Sequence, residues 1–180
     1  MNNPEQDSLV RELVDKEHIR SLLMRYCRAI DRKDYASLLT LYHPDAVDDH
    51  EDFKGGPQEL VEYARSKCER LETMHHLLGQ THIELRGSKA FCETYLSSHS
   101  TFSGGGLWNT GDTASDDQLM LVTVTGRYLD QIERRNDEWR FFRRVFVIDF
   151  RHVRPIQRAT EAGAKHSTTW PEDLVYSMGQ

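Results

Sequence analysis

The chain has 180 residues, 38% of them hydrophobic and 29% charged, a length and balance that fit one soluble globular domain. No stretch approaches the roughly 18 apolar residues of a membrane span, and the acidic, polar start MNNPEQDSLVRELVDKEH lacks the parts of a secretory signal. Without such a signal the expected setting is the cytoplasm, and a net charge of −6, with only paired arginines such as Arg143 and Arg144, argues against nucleic acid as a partner.

From Glu17 onward Ile19, Leu22, Leu23, Tyr26, Cys27 and Ile30 recur three and four apart, which predicts a first helix with one buried face. Asp34 can cap a second, short helix carrying Tyr35, Leu38, Leu39 and Tyr42, which stops at HPDA because proline disfavours helix at the residue before it. The strand-like AVDDHEDF reaches a turn at KGGP, and Pro57 suits the first position of a third helix bearing Leu60, Val61, Ala64, Cys68 and Leu71. Everything after Thr73 reads as extended: MHHLLGQTHIEL, AFCETYLSSHSTF, QLMLVTVTGRYLDQIER and WRFFRRVFVIDFRHV, joined mostly by tight turns. Helices first and a long antiparallel meander afterwards is an α+β pattern, in which the sheet curls around the helices and closes on one apolar pocket. Residues 103–117 form a long loop of low apolar content, which points to function or mobility. The domain is expected to span residues 1–154, with residues 155–180 as a polar extension that lids the pocket, crosses to a neighbouring subunit or stays disordered.

Polar groups on apolar strand faces are the informative positions, because a buried unpaired polar group costs about 1–3 kcal/mol. Phe142, Arg144, Phe146, Ile148 and Phe150 share one parity, so Arg144 projects from an aromatic face toward an anionic partner or, alternatively, a helix carboxylate. The histidines His75, His76, His82 and His99 fall on strands, where each is either a general base or a satisfied structural residue, and parity does not separate His75 from His76. His50, in DDHEDF, either reaches the pocket mouth or sits on the surface. Asp31 closes the first helix beside its apolar face, a poor place for negative charge unless a cation or donor compensates it. Tyr95, Phe102, Trp108, Phe142 and Phe146 are candidate aromatic lining. The three cysteines, Cys27, Cys68 and Cys92, form no CxxC pair and are odd in number, so reduced core thiols are expected. No HExxH or HxH occurs, and no metal is expected.

Taken together, YCRAIDRKDYASLLTLYHPDAV, FKGGPQEL, TMHHLLGQTHIELRGSKA and ERRNDEWRFFRRVFVIDF, in that order, resemble the SnoaL-like branch of the nuclear transport factor two superfamily over about Glu17 to Val153. The resemblance implies a cone-shaped α+β barrel with one apolar pocket, working without metal or organic cofactor, and often as a homotrimer or another homo-oligomer. It also implies roles. Asp31 and His76 match the acid–histidine dyad of the family's dehydrochlorinase and bile acid dehydratase, Arg144 its pocket arginine, and Tyr26 a tyrosine of the bile acid enzyme. His99 falls where that enzyme has an acid. A cofactor-free lyase acting on a hydrophobic aromatic or polycyclic small molecule is the leading expectation, by dehydration or by retro-aldol loss of a small carbonyl such as formaldehyde (a deformylase-type step). An isomerase or cyclase, and a non-catalytic or dioxygenase small-subunit-like protein, remain open.

Overall fold

The computed structural model describes residues 4–50, 52–104, 117–157 and 166–178. Helix α1 runs from Pro4 to Asp31, beginning thirteen residues earlier than the apolar repeat indicates, since Leu9, Val10, Leu13 and Val14 are all exposed. Only the half from Ile19 onward is buried, and that half alone carries the 3.6-residue pattern. Lys33 ends the helix in the left-handed region (φ 57°), and its ammonium donates to the Leu71 carbonyl at 2.9 Å. Asp34 then caps α2 (Tyr35–Thr40), accepting from the Ser37 N–H at 3.1 Å. Tyr42 belongs not to this helix but to the first strand, β1 (Tyr42–His50), which turns into β2 (Phe53–Gly55). Pro57 opens α3 (Pro57–Cys68), where the Glu59 carboxylate accepts the Gly56 N–H at 2.6 Å.

The four long strands are β3 (Thr73–Arg86), β4 (Lys89–Ser103), β5 (Leu119–Arg135) and β6 (Glu138–Pro155). They form a curved six-stranded sheet ordered β2-β1-β6-β5-β4-β3, antiparallel except where β1 runs parallel to β6. The sheet does not close into a barrel: β3 and β2 are its edges, and α1 and α3 fill the concave side.

Two bulges in β6 overturn the simple parity reading. Ile132 faces Phe141 and Gln131 faces Arg143, so Phe142 is an extra residue turned away from the core, against Arg135, while Phe141 is fully buried. A second bulge at Asp149 turns Phe150 outward, where it is 57% exposed. Gly126 lies beside this bulge, and a Cβ there would sit 2.1 Å from the Val147 carbonyl oxygen. Gly126→Ala is therefore expected to cost at least the roughly 1–3 kcal/mol typical of overpacking. An unchanged thermal midpoint would contradict that close approach.

After β6 the chain returns at residues 166–178, ending in the short helix α4 (Leu174–Met178). The Trp170 N–H donates to the Arg32 carbonyl at 2.7 Å, and Asp173 pairs with Arg32 at 3.2 Å. The described part of the extension thus docks on the turn after α1 rather than over the pocket. No helix among the described residues is long and apolar enough to cross a membrane.

Candidate active site

An apolar cavity of about 130 Å³ lies between the concave face of the sheet and the helices α1 and α3. Ile30, Leu60, Leu71, Met74, Val122, Val124 and Phe146 give it greasy walls; Tyr26, His50, His76, Ser98, Ser100 and Tyr128 supply the polar atoms, with Tyr63 and Lys67 contributed by α3.

Asp31 and His76 meet at this cavity. The turn at Lys33 stops α1 just after Asp31, and β3, an edge strand, leaves the His76 backbone N–H without a strand partner. One Asp31 oxygen takes that N–H at 3.0 Å and the other lies 2.6 Å from His76 Nδ1. A carboxylate at a helix C-terminus is thereby satisfied by two donors, and the same bonds fix the ring. Nδ1 carries the proton toward Asp31, and Nε2 is the nitrogen left for a ligand. His75, its neighbour, is exposed on the other face.

His50, the histidine of a second Asp–His pair, lines the same cavity. Asp48 and His50 are two apart on β1 and so share a face, and His50 Nδ1 makes a short contact with Asp48 Oδ1. The Tyr42 hydroxyl donates to the other Asp48 oxygen at 2.6 Å. Burial works to raise the Asp48 carboxyl, and His50, Tyr42 and Arg144 together overcome it and hold it below the ordinary carboxylate value. The His50 ring rests against Tyr128 and Phe146, with centroids 5.6 and 5.4 Å away.

Arg144 is completely buried, but it does not line the cavity. Its Nε and Nη2 donate to the two Asp130 oxygens at 2.7 and 2.8 Å, so its partner is a carboxylate on the adjacent strand rather than a helix acid or a ligand. The guanidinium carbon lies 4.1, 4.0 and 4.1 Å from the ring centroids of Tyr26, Tyr128 and Phe141. Burial opposes the arginine's charge, but Asp130 outweighs it and keeps the group cationic. Tyr26 lines the cavity beside this cation; burial raises its phenol, with Arg144 pulling the other way, so the hydroxyl keeps its proton at neutral pH.

The remaining candidates divide. Phe146 is in the wall. Phe102 is buried in the core without reaching the cavity, and Phe142 is turned away by its bulge. Tyr95, 51% exposed, lies on the convex face of the sheet, as does His99, whose ring nitrogens sit 3.2 Å from Ser97 Oγ and Thr123 Oγ1. On β4 the even-numbered residues point inward, which brings Ser98 and Ser100 to the cavity and sends Tyr95 and His99 out. Trp108 lies outside the described residues. Cys68 touches the cavity, but burial pushes its thiol up to about 11, far from a reactive thiolate at neutral pH.

Sequence reasoning took His50 singly and overlooked Asp48, although an Asp two residues before a His on one strand was a readable signal. It likewise missed Asp130, a lone carboxylate among the inward residues Val124, Tyr128 and Ile132 of β5.

The profile of the SnoaL-like domain matches residues 11–145, three quarters of the chain. The chain belongs to the SnoaL-like domain family. Comparison with curated proteins gives no significant match. Among solved structures, this SnoaL-like protein is similar to a scytalone dehydratase-like protein from Novosphingobium aromaticivorans, with a TM-score of 0.67 and 14% identity, covering 86% of this chain and 97% of the other. It is also similar to a type 2 hexachlorocyclohexane dehydrochlorinase, at TM-score 0.68 and 15% identity over 86% and 99% of the two chains. The type 3 enzyme of Novosphingobium barchaimii matches at TM-score 0.65 and 15% identity over 88% and 97%. At such identities these likenesses concern the fold.

Proposed function

We propose that this SnoaL-like protein is a cofactor-free lyase acting on a small aryl compound, with His76 as general base and Asp31 as its positioning carboxylate. The observation that carries this reading is the two-point hold of Asp31 on His76, which presents one nitrogen of that ring to a largely apolar cavity. An imidazole held in one tautomer in a dry site is suited to removing a proton from carbon or from a hydroxyl. Tyr26 then donates to the oxygen on which charge develops, and Arg144 acts on it through the ring it stacks against.

Cavity size narrows the substrate. An apolar cavity of about 150 Å³ accepts one benzene ring, so a cavity of about 130 Å³ holds no more than about one ring, and the rest of a larger substrate would have to lie outside it. The dehydratase-like and dehydrochlorinase neighbours are compatible with elimination chemistry.

The test is product analysis by mass spectrometry with 4-aryl-4-hydroxybutan-2-ones, beginning with the phenyl compound. Loss of 18 mass units marks dehydration, and an aromatic aldehyde with acetone marks carbon–carbon cleavage. Either product, formed faster than without protein, supports a lyase. A product of unchanged mass would indicate an isomerase, and no conversion across the series would overturn the reading.

A further inference from the structure

His76 accounts for only one of the two imidazoles that line this cavity. His50 reaches it from β1, near one edge of the sheet, while His76 comes from β3 at the opposite edge. Three strands lie between them in the order β6, β5, β4, so curvature of the sheet brings the two rings to one cavity from different sides. Each has its own buried carboxylate, bound through Nδ1, and each therefore offers Nε2 to a ligand.

The two pairs differ in their surroundings. Asp48 is almost wholly buried and accepts from Tyr42 as well as from His50. The nearby cation, Arg144, is engaged at two points by Asp130, so the groups Asp48 touches directly are the His50 imidazole and the Tyr42 hydroxyl. Asp48, held by Tyr42 on one oxygen and touching His50 Nδ1 with the other, fixes that ring and would stabilise positive charge on it, the arrangement a proton donor at Nε2 requires. Two separate proton carriers suit a reaction in which one proton leaves carbon while another must arrive on a departing oxygen. Retro-aldol cleavage instead takes its proton from the hydroxyl and returns one to the carbon of the departing enolate, so the two reactions differ in which atom receives the second proton.

We propose that Asp48–His50 is a second catalytic pair, with His50 as the general acid that protonates a leaving hydroxyl, and hence that the substrate class is β-hydroxy carbonyl compounds that lose water. His76 removes the proton from the carbon beside the carbonyl, and that electron pair becomes the carbon–carbon double bond. The bond from the β-carbon to oxygen breaks with its pair on oxygen, and His50 Nε2–H supplies the proton that completes water. Solvent then reprotonates His50 and takes the proton from His76, so atoms and charge balance with no other reactant. Asp48 is a positioning residue that acts through His50, and Tyr42 through Asp48. The inference rests on the lyase reading above, with His76 as base.

The experiment compares two leaving groups in the same protein: 4-hydroxy-4-phenylbutan-2-one, which must expel water, and its 4-acetoxy counterpart, whose acetate departs without a proton. His50→Gln is expected to lower water elimination by at least about 10²-fold while acetate elimination changes less than about threefold. Asp48→Asn is expected to shift the ratio in the same direction. Partial unfolding scales both rates alike and leaves the ratio unchanged, so the ratio reads general-acid loss and not damage to the fold. Equal losses on both substrates would overturn the role of His50. Wild-type cleavage of the hydroxy compound to benzaldehyde and acetone would overturn it too while preserving a lyase, whereas wild-type inertness toward both compounds would instead remove the lyase reading itself.

Discussion

His76→Ala is expected to lower turnover by about 10²- to 10⁴-fold, with the loss in kcat and little change in KM. Removing a general base eliminates an interaction made in the transition state, while the apolar walls that bind the ring stay in place. Asp31→Asn is expected to fall in the same range for a different reason. The carboxylate accepts from both Nδ1 and the backbone N–H of His76, at 2.6 and 3.0 Å. An amide can accept through its oxygen alone, and its NH₂ group offered to Nδ1 would stabilise the tautomer with the proton on Nε2, the wrong nitrogen for a base. Steady-state rates on the hydroxy ketone, with circular dichroism to verify folding, check both variants. Wild-type rates in either folded variant would remove the Asp31–His76 mechanism.

Arg144→Met should give the largest loss of stability, about 3–5 kcal/mol, because it strands the Asp130 carboxylate in the core. Burial already raises that carboxyl against the pull of the arginine. The variant also loses the cation that Tyr26, Tyr128 and Phe141 surround. Adding Asp130→Leu should recover much of the loss, since replacing a whole buried pair by apolar groups is far less costly than breaking it. Urea unfolding followed by tryptophan fluorescence would measure both variants. A single variant within 1 kcal/mol of wild type, or a double variant no better than the single, would show that the pair is not a coupled unit.

A charge on an aromatic strand face has to be compensated, and that was readable from Arg144 within WRFFRRVFVIDF. What compensates it was not, because Asp130 lies fourteen residues away on a neighbouring strand, and the register that sets them opposite each other depends on the bulge at Phe142. The same extra residue exchanged Phe141 for Phe142 in the core, since one inserted residue reverses every later side chain in a two-residue repeat.

The order of helices and strands as far as β6, the stop after Asp31, the cap at Asp34 and the start of α3 at Pro57 follow from local chemistry: turn-forming residues, proline and apolar spacing act within a few positions of themselves, so the amino-acid sequence determined them unaided. Family membership came the same way, from motifs in a fixed order. Which histidines face the cavity, that Arg144 turns to Asp130, and that a second Asp–His pair stands on β1 were decided by the curvature of the sheet and the register of its strands. Those depend on pairings between distant segments and on single-residue bulges, whose effects on side-chain direction no local pattern records.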